Sequence, residues 1–166
     1  TLPKELGSLP ALKKLDLSRN RLQSLPKELM NAKALEKLNL RGNALAKLPA
    51  NIGELKQLKQ LNLDANKLGE LPASLGKLSS LERLDLRENA LKKLPESLGD
   101  LKQLKTLQLR KNQLTSLPES IGKLENLENL DSWGNALEGL PDSIGGLKKL
   151  KEMTGRSRYL FPSTLV

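Results

Sequence analysis

Every 23 residues the chain repeats one frame, LPxx(L/I)GxLxxLxxLxLxxNxLxx, and its phase does not slip between Leu2 and Leu140. A fixed period of that length narrows the fold sharply, because a unit so short cannot bury its own apolar side chains and must share a core with the units beside it. The Leu-Pro pairs start units at Leu2, Leu25, Leu48, Leu71, Leu94, Leu117 and Leu140, about seven units over a single domain spanning residues 1–166. The last unit diverges over residues 153–166. What recurs is leucine and one asparagine, which reads as architecture. The positions between them vary as a surface does.

Inside each unit, a segment such as Lys14-Leu15-Asp16-Leu17-Ser18 alternates polar and apolar with period two. That alternation predicts a short half-buried strand with its leucines turned inward. Every unit runs its strand in the same direction, so neighbours pair in parallel about 4.8 Å apart and build one sheet. The opposite limb, as in Pro49-Ala50-Asn51-Ile52-Gly53-Glu54-Leu55, places Pro at the start and Gly at the stop of a short helical or 3₁₀ turn. Helical packing takes more width than strand pairing, so the stack curves with the sheet on its concave face and the turns on its convex face. The fold class is α/β, as a curved solenoid.

The repeating asparagines are Asn20, Asn43, Asn66, Asn89, Asn112 and Asn135. Each stands where the chain leaves its strand. There an amide can satisfy buried backbone donors and acceptors with both ends of its side chain, and one amide per unit forms a ladder.

Composition removes most chemistry. The chain has neither Cys nor His, so thiolate or imidazole metal sites, cysteine nucleophiles and Ser-His-Asp triads are excluded. The remaining carboxylates and lysines are spread over a repeating surface rather than gathered in a cleft. No catalytic, metal or cofactor site is expected. No run of about 18 apolar residues exists to span a membrane, and no signal segment is expected within the sequence, which opens at Thr1 without an initiating Met and so suits a processed chain or one cut from a longer one. Absence of Cys fits a reducing, cytoplasmic setting, with a secreted bacterial protein as the alternative.

The formal charge of +9 is uneven. Residues 1–47 hold ten basic against four acidic side chains, whereas residues 94–139 hold five against seven. A basic end can steer an acidic partner, and it can equally serve solubility.

The frame, read in a unit such as LPASLGKLSSLERLDLRENALKK at 71–93, resembles that of leucine-rich repeat proteins, in the subtype with LP at the start and GxL after it. The resemblance extends over nearly the whole chain. It implies a right-handed curved solenoid that binds a protein or peptide on its concave or ascending-loop surface, and it carries over no catalytic residue. Three places depart from the frame. Met30 and Ala32 replace the Gly and Leu of the GxL element. Ser132 and Gly155 replace inward leucines, which predicts two emptied core positions. Arg158 stands where the last ladder asparagine belongs.

Outward strand positions form three rows. The first is Lys14, Lys37, Gln60, Arg83, Thr106, Asn129 and Glu152, running from basic to acidic; the second is Asp16, Asn39, Asn62, Asp85, Gln108, Asp131 and Thr154. The third is Ser18, Arg41, Asp64, Arg87, Arg110, Trp133 and Arg156. Arg and Trp are enriched at binding hot spots, so Arg41, Arg87, Arg110, Trp133 and Arg156, with Arg83, Asp85 and Asp131 beside them, are the candidate partner-binding residues. Two readings stay open for the arginines: a binding edge, or an ion-pair lattice with neighbours such as Asp85. The aromatics Trp133, Tyr159 and Phe161 cluster near the end, where Tyr159 and Phe161 suit a cap over the last leucines.

The expected function is a non-enzymatic, monomeric scaffold for a protein or peptide, with no small-molecule substrate. An engineered or consensus-derived scaffold without native ligand is one alternative. Weak polyanion binding through the basic half is another, and against nucleic acid stands the lack of any aromatic residue there.

Overall fold

A computed structural model describes residues 2–155. Seven three-residue strands lie in one open sheet in chain order: β1 (Lys14–Asp16), β2 (Lys37–Asn39), β3 (Gln60–Asn62), β4 (Arg83–Asp85), β5 (Thr106–Gln108), β6 (Asn129–Asp131) and β7 (Glu152–Thr154). All pairings are parallel, with each residue opposite the one 23 positions later, as Lys14 with Lys37 and Leu15 with Leu38. That register is the sequence period itself, because any slip would take the inward leucines off their shared core. Strand pairing continues through β7, where Met153 faces Leu130.

The other limb of each unit is a 3₁₀ turn, and the stack of strands against stack of turns makes a curved solenoid with the sheet on its concave side. Five-residue turns occupy Lys4–Ser8, Lys27–Asn31, Ala73–Lys77, Glu96–Asp100, Glu119–Lys123 and Asp142–Gly146, each with Pro immediately before it. Proline's fixed φ and missing N–H suit that entry. Between the limbs the leucines pack into one continuous core, most of them fully buried from unit two to unit six. In the first unit Leu2, Leu6, Leu12, Leu15, Leu17 and Leu22 are only partly buried.

The asparagine ladder forms as expected. Asn89 accepts from Leu68 N–H at 2.9 Å and donates through Nδ2 to the carbonyls of Leu63 and Leu86 at 3.0 and 3.1 Å. Asn43, Asn66, Asn112 and Asn135 repeat that pattern. Just before each ladder residue the backbone turns left-handed, at Gly42 and Gly134 but also at Arg19, Ala65, Glu88 and Lys111 with φ of 51 to 55°. Such values strain any residue with a Cβ.

The repeating Gly of the GxL element has another role than stopping a helix. Gly76 lies inside its turn, and a Cβ built on it would come 2.8 Å from Ser97 Cβ, 2.9 Å from the Ser97 carbonyl carbon and closer still to its oxygen. Gly53, Gly99 and Gly122 press likewise on Ser74, Ser120 and Ser143. Glycine is required because consecutive units touch backbone to backbone on the convex side. Unit two, with Met30, is the exception that shows the constraint. Met30 is fully buried, and the following turn shrinks to Ile52–Glu54, with Asn51 moved out of it at φ −98° and ψ 17°.

At the other departure, the inward position of Ser132 is not left empty. Ser132 is 1% exposed and its hydroxyl donates to the Thr154 carbonyl at 3.1 Å, while a Cβ on Gly155 would meet Ser132 Oγ at 2.9 Å. Tyr159, Phe161 and Arg158 lie outside the described residues.

Candidate functional site

The concave face is built by the two rows of outward strand residues, and the third row lies just past the strands. The strand ladder carries on through the leucine that follows each strand, as from Leu17 N–H to the Asn39 carbonyl at 2.8 Å. One residue later the pairing is diverted. Arg41 N–H turns to its own neighbour Asn39 Oδ1 at 3.2 Å, while the Leu17 carbonyl takes the ladder amide of Asn43 at 2.9 Å. The second row supplies this turn wherever it carries Asp or Asn: Asp16, Asn39, Asn62, Asp85 and Asp131 each accept from the N–H two residues on. Row two is therefore half structural. The D/N preference at alternate strand positions was the sequence signal for it.

In row three the arginines divide. Arg87 binds Asp85 with two nitrogens, Nε at 2.8 Å from Oδ1, and reaches Asp64 at 3.7 Å. Arg41 pairs with Asp64 at 3.1 Å. Asp64 is 5% exposed, and burial, reinforced by nearby Asp85, pushes its carboxyl above the usual range despite the two guanidinium groups. Arg41 and Arg87 thus help hold a buried carboxylate in place. Arg110 makes no ion pair among the described residues and lies over the half-buried Trp133 ring, 4.4 Å from its centroid. Asp131 accepts from Thr154 Oγ1 at 2.6 Å and from Trp133 N–H at 3.1 Å, so it holds the Trp backbone. Arg83 is exposed, without a salt bridge among the described residues. Arg156 falls outside them.

Along one flank of the sheet, at the residue preceding each strand, runs a column of strictly alternating charge: Lys13, Glu36, Lys59, Glu82, Lys105, Glu128 and Lys151. Glu36 lies 3.6 Å from Lys13 and 3.1 Å from Lys59; Glu82 pairs with Lys105 at 2.9 Å and Glu128 with Lys151 at 2.8 Å. The Lys59 hydrogen bond and charge hold the Glu36 carboxyl below its ordinary value. Each of the three glutamates in the column pairs with a lysine, whereas Lys14, Lys37 and Arg83 of the first row face outward without an ion pair among the described residues.

Two hollows lie along the trough. The N-terminal one, about 390 Å³, is lined by Lys14, Asp16, Lys37, Asn39, Gln60 and Arg83 among others. The C-terminal one, about 360 Å³, carries Thr106, Gln108, Asn129, Asp131 and Glu152. They share Arg83. Among the described residues no cluster of side chains could hold a metal ion, and no helix is long and apolar enough to cross a membrane.

Comparison with known proteins bears on the frame. A family model described as a leucine-rich repeat region matches residues 2–88, 51–112 and 96–166. A comparison with curated proteins finds no match. Among solved structures the chain is similar to a leucine-rich repeat protein of Leptospira interrogans, at 41% identity and a TM-score of 0.93, covering 98% of this chain and 42% of that one. It is similar to a plant peptide hormone receptor in complex with RGF2, at 34% identity and a TM-score of 0.79, covering 96% of this chain and 31% of the receptor. An internalin of Listeria monocytogenes shares the fold at 22% identity and a TM-score of 0.81, covering 98% and 46%. The chain spans less than half the length of each.

Proposed function

This chain belongs to the leucine-rich repeat family, and from that premise we propose that it is a non-enzymatic scaffold that binds a protein or peptide on its concave face. The observation that carries the reading is the Arg110–Trp133 stack at 4.4 Å on the edge of the trough. A guanidinium over an indole ring is held ready in one place, is only partly covered by the rest of the chain, and joins two side-chain types that dominate binding energies. Asp131, which holds the Trp133 N–H, borders it, and Arg83 lines the same C-terminal hollow as Asp131. Arg87 and Arg41 belong to the same surface and add rigidity through Asp64 and Asp85. The plant receptor, solved with RGF2, supports a peptide as the kind of partner.

The test is affinity capture with the parent chain and with Arg110→Ala/Trp133→Ala. Arg87 is left in place because removing it would strip Asp64 and Asp85 of a counter-charge and confuse stability with binding. A partner retained by the parent and released at least about tenfold more readily by the double variant supports the assignment. Equal retention by both folded proteins sinks it.

A further inference from the structure

The first row divides the trough by charge. Lys14, Lys37 and Arg83 are exposed and have no ion pair among the described residues, and the register puts them on strands one, two and four of the same row. Of the two carboxylates lining the same hollow, Asp85 is bound by Arg87, and Asp16 accepts hydrogen bonds from Ser18 N–H and Asn39 Nδ2. Between Lys37 and Arg83 stands Gln60, whose side chain makes no hydrogen bond among the described residues; beside it, Asn62 uses its Oδ1 on Asp64 N–H and keeps its NH₂ free. At the far end the row becomes neutral and then acidic, through Thr106 and Asn129 to Glu152.

Resting on the concave-face reading above, we propose that the N-terminal half of the trough binds an extended acidic peptide segment, laid across strands β1 to β4 with its carboxylates on Lys14, Lys37 and Arg83. Three strand steps of about 4.8 Å separate Lys14 from Arg83, roughly 14 Å, which four extended residues at about 3.4 Å each also span. Side chains of an extended peptide share a face every second residue, so acidic residues at i, i+2 and i+4 meet the three cations within the reach of their flexible stems. Gln60 and the Asn62 NH₂ offer a donor and acceptor pair to the peptide groups between them. A nucleic acid suits the site less well. The hollow presents no aromatic ring for a base to stack on. Glu152 at the other end rejects a longer acidic run and fixes where the segment sits.

The experiment uses a fluorescent blocked peptide with glutamate at alternate positions i, i+2 and i+4, the same peptide with lysine there, and a single-stranded oligothymidylate of equal charge. Binding is followed by anisotropy at low and physiological salt. The parent chain should bind the glutamate peptide at least about tenfold more tightly than the lysine peptide, with affinity falling as salt rises. Lys14→Glu/Lys37→Glu/Arg83→Glu changes three exposed side chains without partners, so circular dichroism should show it folded, and it should reverse the preference. Equal binding of both peptides, or a glutamate affinity untouched by the triple variant, overturns the proposal. Oligothymidylate bound as tightly as the glutamate peptide, and lost in the same variant, overturns it in favour of a general polyanion site. If the acidic-peptide preference fails while capture still depends on Arg110 and Trp133, the concave-face reading stands without it.

Discussion

Replacing Gly76 with Ala adds a single methyl group at a position whose backbone angle any residue tolerates, so sequence-based reasoning would expect a small gain from a stiffer unfolded chain, about 0.4–1 kcal/mol. The structure predicts a loss. The new Cβ would stand 2.8 Å from Ser97 Cβ and 2.9 Å from the Ser97 carbonyl carbon, where carbon atoms normally rest about 3.5–4 Å apart. One unit must therefore back away from the next by about an ångström, and the obstacle is main chain, which cannot swing aside as a side-chain tip would. Overpacking of this kind costs about 1–3 kcal/mol. The Met30 junction bounds the upper end, because the chain already accommodates a side chain there by shortening the next turn to Ile52–Glu54. A net loss of about 2 kcal/mol is expected for Gly76→Ala. Gly69→Ala is the control, since a Cβ at Gly69 meets nothing within 4 Å. Urea unfolding followed by circular dichroism gives both values. If Gly76→Ala unfolds within about 0.5 kcal/mol of Gly69→Ala, an amount typical of inert surface changes, backbone contact between units does not explain the repeating glycine.

Asn89→Ala should cost about 1–3 kcal/mol in the same assay, because Leu68 N–H and the Leu63 carbonyl would lose their side-chain partner. Leu86→Ala, at a fully buried site, should cost about 2–5 kcal/mol through lost burial and a residual cavity. Ala65→Gly should leave stability unchanged or raise it by up to about 1 kcal/mol, since Ala65 holds a φ of 54° that glycine adopts freely; a clear loss would mean the left-handed turn carries no strain. Acid unfolding gives a further check. Asp64 has a raised folded-state pKa, so its ionisation opposes folding, and its contribution falls as pH rises from its unfolded toward its folded value. Asp64→Asn removes that term, and the stability of the variant relative to the parent should therefore improve as pH climbs from about 3 to 6. The lowered carboxyls of Glu36, Glu82, Glu88 and Glu128, each held down by a lysine, act oppositely and favour the fold less as pH falls through their range, in parent and variant alike.

The period alone determined a great deal. A 23-residue frame admits one strand register, since only residues 23 apart can bring leucine against leucine, and it assigns each ladder asparagine its place before any contact is known. The three outward rows follow from the same arithmetic, and the register of β1 to β7 reproduces the first two. Contacts between units are set by residues far apart in the sequence. Gly76 reads in one dimension as a helix stop, because the carbonyl that forbids its Cβ belongs to Ser97, one unit away. Ser132 reads as a hole, because its acceptor is the Thr154 carbonyl on the next strand.

The division among the arginines is of the same kind. Arg41, Arg87 and Arg110 occupy equivalent positions and are indistinguishable in the frame, yet two grip Asp64 and the third covers Trp133. Local sequence sets which face a side chain leaves from, through backbone periodicity. Which neighbour it meets depends on what the adjacent unit places within a few ångströms, and for charged groups that decides whether the charge is spent inside the chain or offered outward. Lys14, Lys37 and Arg83 are offered because the glutamates of the neighbouring column pair with its own lysines across units and Asp85 is taken by Arg87, a property of the stacked units that no single unit contains.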